Sequence, residues 1–220
     1  MPERSRRKFL KEIFVSSGGL AIMAEPLVSF WARAWGIVKK KLLPGGTDRD
    51  SLINENPKDV DARNLEITPL KDFQTMGLSD HPVDIRRWTL KVEGEVETPL
   101  SLSYDRIKAL PAIERKVLMI CPGYFVNQGL WKGVSIRTLL QKARAKPGVN
   151  HITVSGPEGE YSKPERFPIQ DIVSDKVFLA YQVNGFDLPQ KHGFPLRLVA
   201  EDYYGSFWVK YVDSIRVEKV

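Results

Sequence analysis

The chain has 220 residues with 33 basic and 27 acidic side chains, a net charge of +6 and a single cysteine. One cysteine excludes an intramolecular disulfide, and the absence of a basic stripe or zinc-finger spacing argues against nucleic acid as a partner. Six basic and three acidic residues within positions 1–34 carry half of the excess charge, so the rest of the chain is only mildly basic.

Residues 5–11 read Ser-Arg-Arg-Lys-Phe-Leu-Lys and stand just ahead of an apolar stretch at 13–24. That order is the pattern of a twin-arginine export signal. Glu25 and Pro26 interrupt the apolar stretch, and no unbroken run reaches the ~20 residues that a spanning helix needs. Ala32-Arg33-Ala34 offers small residues at the spacing of a peptidase site, so the segment is either cleaved after Ala34 or kept as an N-terminal anchor. Residues 1–34 are thus expected as a signal segment, and the mature chain is expected to work in the periplasm or otherwise outside the cytoplasm. Residues 35–64 are polar, charged and poor in aromatics, which predicts a linker or extended surface segment.

Compact structure is expected over residues 65–220, long enough for one domain with a substantial core. Residues 88–94 alternate apolar and polar like a half-buried strand, and 117–121 form a continuous apolar run like a strand buried on both faces. Further strands are expected at 152–154, 177–181, 195–199, 208–212 and 215–217. Asn184-Gly185 signals a turn, with a loop rather than a strand over 186–189. Ser103 is placed to cap a helix over 104–110 and Ser135 one over 136–145, where Ile136, Leu139, Leu140 and Ala143 share a face. A third short helix is expected after Pro168. Mixed strands with scattered short helices predict an α+β domain. No Gly-x-Gly-x-x-Gly follows a strand, which argues against a dinucleotide fold.

Cys121 ends the buried strand and is followed by Pro122-Gly123-Tyr124, so its thiol sits where a strand exits into a loop. An unpaired cysteine in an exported chain reads either as a small buried hydrophobe or as a soft metal ligand. Composition alone does not separate the two.

The motifs follow in a fixed order. Trp88-x-Leu90-x-Val92-x-Gly94 precedes the lone Cys121, and Trp131-x-Gly133 comes ten positions later. Leu179-Ala180-Tyr181-Gln182-Val183-Asn184-Gly185 follows, then His192-Gly193-Phe194-Pro195-Leu196-Arg197-Leu198, then Tyr204-Gly205 before Val209-Lys210-Tyr211. Taken together they resemble the molybdopterin-binding domain of the sulfite oxidase family, a mixed, barrel-like β fold. The likeness is strongest to the short bacterial branch with the catalytic subunit of periplasmic protein-methionine-sulfoxide reductase.

The resemblance implies molybdenum and molybdopterin as cofactors, with Cys121 ligating the metal. It implies pterin contacts from His192 and Arg197, the latter with a donor fork suited to phosphate. It also implies a point charge from Lys210, backbone contacts from Trp208 and Val209, and a further contact at Gly156. Lys71, Gln74 and Thr75 fall in the loop that approaches the cofactor, where Met76 replaces an arginine of some relatives. Tyr124 either faces the metal or packs as an aromatic.

Two-electron oxygen-atom transfer is the implied chemistry, first as reduction of a small-molecule or protein-bound S-oxide. Sulfite oxidation is the alternative and would call on Arg86, Arg87, Arg197 and Lys210 for an anion pocket. A cofactor-free exported binding module on the same fold is the third reading. With no haem-attachment motif, electrons are expected from a separate partner, namely a membrane haem protein, a cytochrome or a quinone-linked subunit. A monomer is expected.

Overall fold

A computed structural model describes residues 39–220, and residues 41–220 form one compact unit. The expected signal segment, 1–34, lies outside the described residues. Two five-stranded sheets enclose the main core. The first pairs β5 (Ala112–Cys121), β6 (Phe125–Ser135) and β9 (Val177–Val183) antiparallel. β10 (Phe186–Asp187) and β11 (Arg197–Ala200) share the far edge of β9. The second has the order β4 (Leu100–Ser103), β3 (Thr89–Gly94), β12 (Ser214–Glu218), β7 (His151–Ser155), β8 (Glu165–Pro168), with only β3 and β12 parallel. Three short helices complete the body: α1 (Tyr104–Lys108), α2 (Ile136–Ala143) and α3 (Ile169–Val173). The α+β expectation holds.

The alternation in β5 explains how its end is buried on both faces. Val117, Met119 and Cys121 belong to the main core, whereas Leu118 and Ile120 point the other way. Their cover is Leu43, Leu52, Val60 and Leu65, all buried. Residues 41–64 are therefore not a surface linker. Their few apolar side chains close a second small cluster, and a parallel pair of β1 (Lys41–Leu42) with β2 (Val60–Asp61) ties the segment together. Burying Leu43, Leu52 and Val60 beside Leu65 offsets part of the cost of ordering a polar stretch.

Other differences have local causes. β6 was not expected as a strand because Asn127, Gln128 and two glycines break its apolar pattern. Both amides are nonetheless buried: Asn127 exchanges two hydrogen bonds with the backbone of Gln74, while Gln128 Nε2 donates to Ala62 O and its Oε1 has no partner among the described residues. Ser135 does not cap α2; its hydroxyl donates to the Asp175 carboxylate, and a left-handed Arg144 ends the helix two residues early. Ser103 does cap α1, accepting from Arg106 N at 3.5 Å. Phe186 and Asp187 form a short strand rather than a loop, because Asn184 and Gly185 both take positive φ and turn the chain straight back. Residues 208–212 form no regular strand: Leu198 N donates to Val209 O and Val212 N to Leu196 O, but Tyr211 breaks the run at φ +57°.

At Gly133 the β6–β9 register shifts, and a Cβ there would overlap the carbonyl of Leu179. Backbone cannot yield there as a flexible side chain would. Gly133→Ala should cost about 3 kcal/mol of unfolding free energy, read from urea denaturation. A loss below ~1 kcal/mol would show that the two strands separate without strain.

Candidate active site

Arg197 opens β11 and is only 4% exposed. Its Nη1 donates to His192 O at 2.8 Å, and its Nη2 reaches Met119 Sδ at 3.4 Å. The Trp131 and Trp208 rings flank the guanidinium, with centroids 5.9 and 5.8 Å from its carbon. Arg197 Nε has no partner, and neither has Nε2 of the buried His192. Among the described residues no carboxylate pairs with this arginine. Burial lowers its pKa to about 10, which still leaves it charged at neutral pH. A buried cation held only by a carbonyl, a thioether and two π faces lacks its counter-charge.

Beside it lies a cavity of about 490 Å³. Cys121, Arg197, Gly205, Trp208 and Lys210 line it together with Tyr124, Tyr161, Met76 and Leu78. Gly205 is required against the thiol, since a Cβ there would overlap Cys121 Sγ. Burial raises the Cys121 pKa, and Arg197 and Lys163 pull it partly back. Lys210 Nζ donates to Thr75 Oγ1 at 3.2 Å and Lys191 O at 3.4 Å, and burial beside Arg197 and Lys163 lowers its pKa to about 8. Among the described residues no three His, Cys, Asp or Glu side chains converge. A metal beside Cys121 would therefore draw its other ligands from a non-protein group.

The expected site residues divide into three groups. Cys121, Tyr124, Arg197, Trp208 and Lys210 share the cavity wall, with Tyr124 66% exposed at its mouth rather than packed. Thr75, His192, Val209 and Gly156 stand behind that wall. Thr75 holds Lys210, and His192 offers its carbonyl to Arg197. Val209 pairs with Leu198, and Gly156 leaves room for Tyr161 O and Lys210 O. Lys71 and the Gln74 side chain are exposed and outside the lining, as are Arg86 and Arg87. Sequence reasoning missed Leu78, Tyr161, Lys163 and Tyr211. Tyr161 and Lys163 sit in the loop between β7 and β8, where an aromatic and a lysine beside Gly159 and Pro164 were the only signal.

Residues 78–220 match the family described as the oxidoreductase molybdopterin binding domain. The chain belongs to that family. It is 32% identical over 152 residues to the uncharacterized oxidoreductase YuiH of Bacillus subtilis, covering 67% of this chain and 74% of that protein. It is also 32% identical over 171 residues to the protein-methionine-sulfoxide reductase catalytic subunit MsrP of Xanthomonas campestris. That match covers 69% of this chain but only 49% of MsrP, so the chain spans about half of that relative. Among solved structures, the sulfane dehydrogenase SoxCD of Paracoccus pantotrophus matches with a TM-score of 0.59 at 24% identity, over 64% of this chain and 40% of that one. At that identity the likeness speaks for the fold.

The chain is thus a molybdopterin-binding, molybdenum-dependent oxidoreductase, and the site fits its cofactor. An anionic pterin phosphate would supply what Arg197 Nε and the buried guanidinium charge lack. The lone soft thiol against Gly205 suits a metal whose remaining ligands come with the cofactor.

His192 gives a pH signature in the cofactor-free chain. Burial first, then the charges of Arg197, Lys191 and Lys210, lowers its pKa to about 4. A base with a depressed folded pKa contributes stability that is present above its unfolded pKa and lost as pH falls through the folded value. Unfolding free energy should thus fall by about 3 kcal/mol between pH 7 and pH 4, most of it below pH 6.5. His192→Gln should remove that part of the slope in urea melts at stepped pH, and an unchanged slope would place the proton elsewhere.

Proposed function

We propose that this oxidoreductase reduces an S-oxide, small or protein-bound, at a molybdenum held by Cys121. The observation that carries the substrate class is the cavity mouth. Met76, Leu78 and Tyr124 line it and are all exposed and uncharged, while Arg86 and Arg87 lie outside the lining. A sulfite-oxidising pocket would need cations beyond those that the cofactor phosphate engages. Among the described residues the one further cation in the lining, Lys163, is held by Ser206 O and Glu165, with Glu160 also on the wall. The resemblance to MsrP, the catalytic subunit of a protein-methionine-sulfoxide reductase, supports the same reading.

When bound, the molybdenum–pterin group supplies the two-electron redox change. Per S-oxide the reaction consumes two electrons and two protons and releases a sulfide and one water. The protein's own part is positional and electrostatic. Arg197 and Lys210 would neutralise the cofactor's phosphate, with His192 and Thr75 holding those two side chains in place. Trp208, Val209 and Gly156 would fix the backbone at the cofactor's edge, with Lys71 and Gln74 at most peripheral. Burial beside Arg197 and Lys163 draws the Lys210 pKa down to about 8 in the cofactor-free chain, and an anionic phosphate beside it would restore the charged ammonium. Electrons would come from a separate haem or quinone-linked partner to a monomeric enzyme.

Purified from a host that makes molybdopterin, the protein should carry about one molybdenum per chain and reduce S-oxides with a reduced viologen dye. Cys121→Ser should abolish turnover, because a hard oxygen replaces the soft ligand. Arg197→Ala should lower molybdenum and pterin content by more than tenfold, as expected for losing a charge-assisted phosphate contact. Full occupancy in Arg197→Ala with a raised KM would instead place that arginine in the substrate pocket and favour sulfite oxidation. A metal-free, inactive wild type would favour the binding module.

The location follows from residues 5–11: we propose export in the folded state by the twin-arginine route to the periplasm. Arg6→Lys with Arg7→Lys keeps the charge yet should leave the protein in the cytoplasm, as read by cell fractionation. Efficient export of that form would assign an ordinary secretory signal.

A further inference from the structure

One wall of the cavity is a strap, residues 74–82, that has no regular secondary structure. It is fastened at both ends. At the first, Gln74 and Asn127 exchange two hydrogen bonds, Gln74 N to Asn127 Oδ1 at 3.3 Å and Asn127 Nδ2 to Gln74 O at 2.9 Å. At the second, Tyr161 Oη donates to Asp80 Oδ1 at 2.6 Å. There the His81 ring wedges between Tyr161 and Tyr211, with centroids 4.5 and 5.2 Å away, and Tyr161 and Tyr211 meet edge to face at 5.4 Å. Gln190 Nε2 holds the His81 carbonyl at 2.8 Å. Between the two fastenings stand Met76, Gly77 and Leu78, all of them lining the cavity. Gly77 has φ +71° and open space where a Cβ would be, and its neighbours Met76 and Leu78 are both exposed, while Thr75 nearer the first fastening takes a bond from Lys210 Nζ.

Tyr161 comes from the loop between β7 and β8, which forms the wall facing the strap. Its bond to Asp80 therefore joins two walls across the cavity edge. The bond is reflected in both partners. Hydrogen bonding to Asp80 raises the Tyr161 pKa to about 12, and the same bond lowers that of Asp80.

We propose that Asp80 and Tyr161 form a clasp that holds the strap against the β7–β8 loop and so sets the bulk of the substrate admitted to Cys121. The proposal rests on the S-oxide reading for its substrate and on the geometry alone for the clasp. Both residues are positioning groups, and neither touches the reacting atoms. Tyr161→Phe keeps the ring contacts with His81 and Tyr211 and deletes only the hydrogen bond, while Asp80→Asn keeps the shape and removes the charge.

Two measurements on the holoenzyme, normalised to molybdenum, test it. Thermolysin cleavage between Gly77 and Leu78 should be about tenfold faster in Tyr161→Phe, the change expected on losing one hydrogen bond to a charged group, and less so in Asp80→Asn, which keeps an acceptor. The ratio of kcat/KM for methyl phenyl sulfoxide over dimethyl sulfoxide should rise at least threefold. Unchanged cleavage in Tyr161→Phe overturns the clasp, and an unchanged ratio overturns its role in selection. A wild type that reduces neither S-oxide sinks the functional reading rather than the clasp. In that case the size test is read from Cys121 alkylation in the cofactor-free full chain, comparing N-ethylmaleimide with iodoacetamide. The same threefold gain for the bulkier reagent in the variants is expected, and equal rates overturn the proposal.

Discussion

A buried guanidinium without a carboxylate is the constraint around which this site is built. Arg197 loses its hydration at 4% exposure and recovers two hydrogen bonds, one of them to a sulfur. Such a charge costs several kcal/mol unless an anion completes it. The fold around it is arranged to keep the cost bearable and the geometry fixed. Trp131 is anchored by its Nε1 to Val117 O at 3.3 Å and Trp208 by its Nε1 to Tyr203 O at 3.3 Å, so the two π faces cannot drift from the cation. Strands β5, β6 and β11 each contribute one part of this seat, which is why the site depends on the whole first sheet.

The two sheets together explain how far the fold was legible. Alternation in residues 88–94 and 215–217 identified strands because each has one face in the core and one in solvent. The unbroken run at 117–121 carried a stronger message than a strand alone. Leu118 and Ile120 had to be covered, and apolar side chains scattered among charges at 43, 52, 60 and 65 supply that cover. A composition average hides four leucine and valine residues in a polar stretch. The covering segment also reaches the site, since Gly123 N in the loop after Cys121 donates to Ile53 O at 3.3 Å. What reads as a linker thus braces the loop that presents the thiol.

Within the site, the residues that could be found from sequence were those whose chemistry is unusual for their surroundings. A lone cysteine at a strand exit and an arginine between two leucines both violate local expectation, and both stand on the cavity wall. Tyr161, Leu78 and Tyr211 could not be found in this way. Each is an ordinary residue whose importance comes from which other segment it meets, and that meeting is a property of tertiary packing. Gln74 went astray for the opposite reason. It belongs to the right loop, but Asn127 takes its backbone and leaves its side chain outside.

The segment 205–211 shows why a regular strand would have served the site badly. In a strand, successive side chains face opposite ways, so Trp208 and Lys210 could share the cavity only if Val209 and Tyr211 turned from it. Here Trp208, Lys210 and Tyr211 all line the same space, while Val209 stays buried against β11 through its bond from Leu198. The left-handed backbone at Tyr211 is what breaks the alternation, at a cost of about 1–2 kcal/mol for a residue with a Cβ. That conformation persists because the neighbours over-determine it: Val212 N bonds to Leu196 O, Tyr211 N to Gly193 O, and the ring locks against His81 and Tyr161. The local rule of strand periodicity therefore fails where two consecutive residues, a cation and an aromatic, must face one ligand.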